Sequence, residues 1–148
     1  MQTLAPWVHI LSFSVWLSAN LFVLGMVWPA SRRLPPGEGL EVMRGAARRL
    51  NAVAAAAAPL AALSGFGAFF LQGSAALTPG SGIFLALAAK TLLTAVMALN
   101  HGLQAFRYEV SLEDPLGGRN PWMRLLAANT VLGIVVLLLG LALRRAAF

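Results

Sequence analysis

The chain contains two histidines, His9 and His101, and both fall inside long apolar stretches. Neutral imidazole is a common ligand of haem iron and of copper, so these two are the candidate metal ligands. Their alternative role is plain interhelical hydrogen bonding. Met97 lies one helical turn before His101, which puts a thioether and an imidazole on one face, a pairing that copper(I) favours and that also reads as core filler. Lys90 precedes His101 by 11 positions within Gly82–Phe106. A cation in a spanning helix costs about 2.5–3.5 kcal/mol on insertion scales, so Lys90 marks a candidate functional site. It suits an anionic group such as a porphyrin propionate, or it snorkels to the headgroups. No Asp or Glu occurs in the apolar stretches. That absence argues against a carboxylate proton relay and leaves an external anion or a partner subunit to meet the lysine.

The elements that must position these residues are transmembrane helices. The 148 residues are 59% hydrophobic and only 11% charged, and the mean hydropathy of +0.76 exceeds that of ordinary water-soluble domains. Four segments, about Leu4–Pro29, Asn51–Leu71, Gly82–Phe106 and Trp122–Leu143, reach the roughly 20 residues needed to cross a bilayer core of about 30 Å. The expectation is one all-α domain over residues 1–148, an integral membrane antiparallel four-helix bundle. At about 100° per residue, His9, Ser12, Trp16 and Asn20 share one face of the first helix. Lys90, Thr94, Met97, His101 and Gln104 share one face of the third. Trp16, about two turns from His9, either stacks on a flat ligand or packs in the core. Small residues in the second and fourth helices, including Gly65, Gly133 and Gly140, read as packing faces, and Pro59 is expected to kink the second. At 1.5 Å per residue His101 lies about 16 Å further along the third helix than Lys90. The polar residues therefore divide into a pair, His9 and Lys90, and a group of Asn20, Met97, His101 and Asn129.

The net charge of +6 raises nucleic acid as a partner, but the basic residues are divided among short loops and the last turn, so none is expected. Arg32, Arg33, Arg44, Arg48 and Arg49 fall between the first two segments, and Arg107, Arg119 and Arg124 between the last two, while the stretch from Gln72 to Ser81 is uncharged. The positive-inside rule then places both termini outside, in a multi-pass protein of the inner (plasma) membrane. The first segment lacks a cationic lead and a small-x-small cleavage site, and reads as a retained helix. Trp7, Trp28 and Trp122 read as interfacial anchors. With no cysteine, iron–sulfur clusters, thiolate-bound haem and Cys-based zinc are excluded.

Trp7-Val8-His9-Ile10-Leu11, with Trp16 and the basic pair Arg32-Arg33, resembles the first helix of copper-resistance D-like proteins and of the related haem-containing protoporphyrinogen oxidases of the HemJ type. The run Ala88-Ala89-Lys90-Thr91, with Leu99-Asn100-His101 after it, is similar to the third helix of the HemJ-type enzymes. Arg48-Arg49-Leu50 and Arg124 to Thr130 are similar to the starts of their second and fourth helices. Where those enzymes carry an acidic residue in the fourth helix, this chain has Ala127-Ala128-Asn129-Thr130, and methionine-rich loops for copper capture are absent. The resemblance implies a haem-b-binding membrane protein, a porphyrinogen oxidase or a redox relative of one. His9 would be the axial ligand, Lys90 the partner of a propionate or a second ligand, Trp16 a further cofactor contact, and His101 a second haem residue. The other arm of the resemblance implies copper handling through His9, His101 and Met97. From a different class comes a non-catalytic accessory subunit of a respiratory or denitrification complex, its polar stripes serving helix packing or a quinone headgroup. Homo-oligomers or larger membrane assemblies fit either reading.

Overall fold

The computed structural model describes residues 4–71, 80–106 and 120–146, and within them four helices carry the fold. Helix α1 runs from Leu4 to Ser31 as an α-helical stretch Leu4–Phe22, a π-helical turn Val23–Val27 and a last α-helical turn Trp28–Ser31. The wide turn has a local cause. Pro29 has no N–H to return to the turn before it, and there the Trp28 N–H reaches back to the Val23 carbonyl. Helix α2 is Pro36–Leu71, α3 is Gly82–Phe106 and α4 is Pro121–Ala146. All four are long and apolar enough to cross a membrane.

The helix starts are written in side chains. The Ser81 hydroxyl accepts from the Phe84 N–H at 3.1 Å, and Asn120 Oδ1 accepts from the Trp122 N–H at 2.9 Å beside Pro121 in the first turn. Glu38 sits in the first turn of α2, where the helix dipole favours an anion. Hydroxyls within the spans return to their own helices: Thr94 donates to the Lys90 carbonyl at 2.8 Å and Thr130 to the Leu126 carbonyl at 2.9 Å.

Helix α2 corrects the expected boundaries. It begins at Pro36 rather than near Asn51, so Arg44, Arg48 and Arg49 are helical and exposed instead of lying in a loop. Leu40, Met43, Ala47, Leu50 and Ala54 recur at three- and four-residue spacing and are all buried, which continues the apolar stripe beyond the membrane-length segment. At 36 residues the helix is about 54 Å long, well beyond a bilayer core of about 30 Å. It runs on through Pro59 without a break. Helix α1 likewise extends two residues past Pro29, and α4 spans Pro121–Ala146 rather than 122–143. Arg107 and Arg119, and the side chains of Arg144 and Arg145, lie outside the described residues.

Consecutive helices are antiparallel. One end of the bundle carries Leu4, Gly82 and Ala146, and the other, the arginine end, carries Arg32, Arg33, Arg44, Arg48, Arg49 and Arg124. Helix α1 packs along α2, α3 packs along α4, and α1 meets α4, whereas α2 and α3 barely touch. Two apolar clusters hold the bundle. One, in the half toward Leu4, gathers Phe13, Trp16, Leu17, Ala54, Ala57, Ala61, Met97 and Val136. The other, at the arginine end, gathers Val23, Leu40, Met43, Leu50, Trp122 and Leu126. Trp122 is 1% exposed, so it is a core residue and not the interfacial anchor expected of it. Trp7, at 63% exposed, is open to the surroundings as an anchor should be.

Candidate functional site

Ser12, Trp16 and Asn20 are all buried, as one inward face of α1 requires, and His9 continues that face toward the Leu4 end. His9 turns onto α2. Its Nδ1 lies 2.7 Å from the Ala61 carbonyl oxygen, so that nitrogen carries the proton and donates it. The imidazole occupies the space that a side chain would need at Gly65: a Cβ there would lie 2.9 Å from His9 Cε1 and 3.0 Å from Nδ1. Ser64 donates to the carbonyls of Leu60 and Ala61 and ties off the same turn. With Nδ1 committed, Nε2 is the nitrogen that keeps a free lone pair. This is the arrangement in which a backbone carbonyl fixes the tautomer of a ligating histidine.

Lys90 is half-buried on the bundle-facing side of α3, and its ammonium approaches α4 at Gly140, where a Cβ would lie 3.5 Å from Nζ. It also stands within electrostatic reach of His9. The helix registers agree with that proximity. Leu17 Cδ1 would be 2.8 Å from a Cβ at Gly133, which pairs α1 with α4, and the Lys90 and Met97 contacts with Gly140 and Gly133 pair α3 with α4. Followed along the helices, these registers put His9 and Lys90 in one layer.

His101 belongs elsewhere. Its ring meets Trp16 edge-on, with centroids 6.0 Å apart and planes at 85°, and Trp16 in turn meets Phe13 edge-on at 6.5 Å. Met97, fully buried, gives its backbone carbonyl to Asn129 Nδ2 at 3.2 Å. Asn20 lies one turn beyond Trp16 on α1, at the depth that the Leu17–Gly133 contact assigns to Asn129. The structure therefore separates the sequence-derived candidates into two layers. His9 and Lys90 form one. Trp16, Asn20, His101 and Asn129 form the other, toward the arginine end from Met97, and Trp16 keeps company with His101 rather than with His9. A single metal ion cannot be shared by His9 and His101 across about 16 Å of helix rise.

Ala61, Gly65 and Gly140 are site residues that reading the sequence for reactive side chains passed over. Ala61 contributes only a backbone carbonyl, which no residue type announces. Gly65 and Gly140 were visible as small residues, but not as the surfaces against which a histidine and a lysine rest. Among the described residues no cluster of three or more His, Cys, Asp or Glu groups is placed to hold a metal ion. No family model, curated protein or solved structure matches the chain.

Proposed function

We propose that the protein binds haem b in the membrane through the layer of His9 and Lys90, and acts as a redox protein of the porphyrinogen oxidase kind. The observation that carries this reading is the hydrogen bond from His9 Nδ1 to the Ala61 carbonyl, which leaves Nε2 as the coordinating nitrogen and holds the ring in one orientation against Gly65. Bound there, haem b supplies one-electron chemistry that the side chains of this chain do not have. The ammonium of Lys90, with no carboxylate in the spans to neutralise it, is the group for a propionate. Small residues at Gly65 and Gly140 let both side chains lie close to their neighbouring helices without distortion.

The same reading orients the protein in the inner (plasma) membrane with the arginine end inside and both termini outside. The test is the absorption spectrum of the detergent-purified protein, oxidised and reduced. The wild type is expected to show the bands of a haem b, and His9→Ala to lose them while remaining helical. Colourless wild-type protein from haem-replete cells would overturn the proposal.

A second reading has its own observation. The face of α3 lined by Phe84, Leu87, Ala88, Thr91, Leu92 and Ala95 is a shallow apolar groove on the outside of the bundle. Such a face suits an accessory subunit docked in a larger membrane complex. Co-purification of stoichiometric partner subunits with a haem-free chain would favour that role. Copper handling at Met97 and His101 rests on the one-turn spacing of these residues alone.

A further inference from the structure

The second layer holds polar atoms that no protein group satisfies. Trp16 Nε1, both amide atoms of Asn20, His101 Nδ1 and Asn129 Oδ1 are buried without a hydrogen-bond partner. Gln104 lies beside the His101 ring at the edge of the layer, and its Oε1 is likewise without a partner of good geometry, although its Nε2 donates to the Trp122 carbonyl at 3.0 Å. Trp16 is 1% exposed, Gln104 2%, and Asn20 and Asn129 0%, so these groups do not reach bulk solvent in place of a partner. In hydrocarbon such groups are costly unless something pairs with them.

Three features define what could. The first is chemical: the layer offers donors in Trp16 Nε1 and Asn20 Nδ2, acceptors in Asn20 Oδ1, Asn129 Oδ1 and Gln104 Oε1, and His101 can serve in either sense according to its tautomer. It contains no carboxylate and no lysine or arginine, so it favours a neutral head over an ion. The second is position. The Phe13–Leu17–Met97 cluster closes the layer toward the Leu4 end and the Val23–Met43–Trp122 cluster closes it toward the arginine end. Its open side is the flank, where His101 is only half-buried and α2 barely touches α3. The third is shape, since the perpendicular rings of Trp16 and His101 provide flat aromatic walls.

From these we infer that the Trp16–Asn20–His101–Asn129 layer is a binding site for a lipid-dissolved ligand of the quinone and quinol class, entering sideways from the bilayer. A quinone carbonyl accepts from Trp16 and Asn20, and a quinol hydroxyl donates to the amide oxygens, so the mixed donor and acceptor set serves both forms of such a head. This site is separate from the layer of His9 and Lys90 and does not depend on haem binding there.

Indole fluorescence tests it directly, because Trp16 is part of the site and quinones quench indole emission. Protein in detergent micelles is titrated with decylubiquinone. The wild type is expected to show a saturable quenching component that Trp16→Phe loses, and Asn20→Leu and Asn129→Leu are expected to weaken its affinity at least tenfold. Trp7→Phe, changed at an exposed residue near the end of α1, retains it. Haem-free His9→Ala protein also retains it, so failure of this inference and failure of the haem reading are distinguishable. Quenching that rises linearly with quinone in the wild type reports partitioning into the micelle and overturns the inference without any need for the variants to fold. A saturable component unchanged in Trp16→Phe and in both folded leucine variants overturns the location.

Discussion

The His9 imidazole of α1 lies on the bare backbone of Gly65 in α2 while its Nδ1 donates to the Ala61 carbonyl one turn away. A residue with no side chain thus shapes the position of the residue with the most chemistry. Replacing it should be felt at once. Gly65→Ala sets a methyl group 2.9 Å from His9 Cε1, and overpacking of this kind costs about 1–3 kcal/mol. The expected outcome is a lower melting temperature in detergent and loss of the haem bands. Gly67→Ala, where nothing lies within 4 Å of the new Cβ, serves as the control and should leave both unchanged.

Lys90 separates charge from size. Lys90→Met keeps most of the stem but removes the ammonium. Without ligand the variant should melt higher than the wild type, because a membrane-buried cation costs about 2.5–3.5 kcal/mol. Its haem content should fall, since a propionate would be left without its counter-charge. Lys90→Arg should retain more haem than Lys90→Met, with some loss because the wider, directed guanidinium must also fit beside Gly140. Melting curves and haem-to-protein ratios for the two variants check this, and a Met variant that keeps its full haem complement would contradict the role given to the charge.

The contact between α1 and α4 is open to a double-mutant cycle. Gly133→Ala brings a methyl group 2.8 Å from Leu17 Cδ1 and 3.3 Å from Met97 Cε, both ends of flexible side chains. The expected loss is about 1 kcal/mol, toward the low end for overpacking. Leu17→Ala alone should cost about 2–5 kcal/mol by leaving a cavity. Together they should cost less than the sum, with a coupling of at least about 0.5 kcal/mol. Additive losses would mean that the two residues do not meet.

Orientation is checked by fusion reporters. A reporter that is active only in the cytoplasm should work when inserted between Arg32 and Pro36, and fail when joined ahead of Leu4 or placed between Gln72 and Ser81. Activity at the amino-terminal position would reverse the depths assigned to both layers.

The membrane bundle and its two polar stripes were legible in the sequence, because hydropathy over 20 residues and a 100° repeat each leave a direct mark on residue order. Ser12, Trp16 and Asn20 are buried where that repeat puts them, and so are Met97 and Gln104. The start of α2 was not legible from hydropathy, since Arg44, Arg48 and Arg49 end an apolar window without ending a helix. The buried stripe of Leu40, Met43, Ala47 and Leu50 was the signal that would have carried the helix back to Pro36. The partner of His9 left no signal of its own, for a backbone carbonyl is the same at every residue. Trp122 shows the converse limit: its place near a helix end suggested the interface, and only packing against residues distant in the chain shows that it is core.

The π-helical turn Val23–Val27 has a consequence for how this chain tolerates insertions and deletions. One fewer residue there would let α1 close into regular α-helix, and would turn everything beyond it by about 100° relative to everything before it. Trp28 and the fully buried Ser31 would leave their places, and with them the corner where a Cβ at Gly39 would collide with the Ser31 carbonyl. Hydropathy would hardly register such a deletion, and His9, Trp16 and Asn20 would keep their common face. The damage would fall on the hairpin between α1 and α2, so in this stretch the length of the chain is under tighter constraint than the identity of its apolar residues.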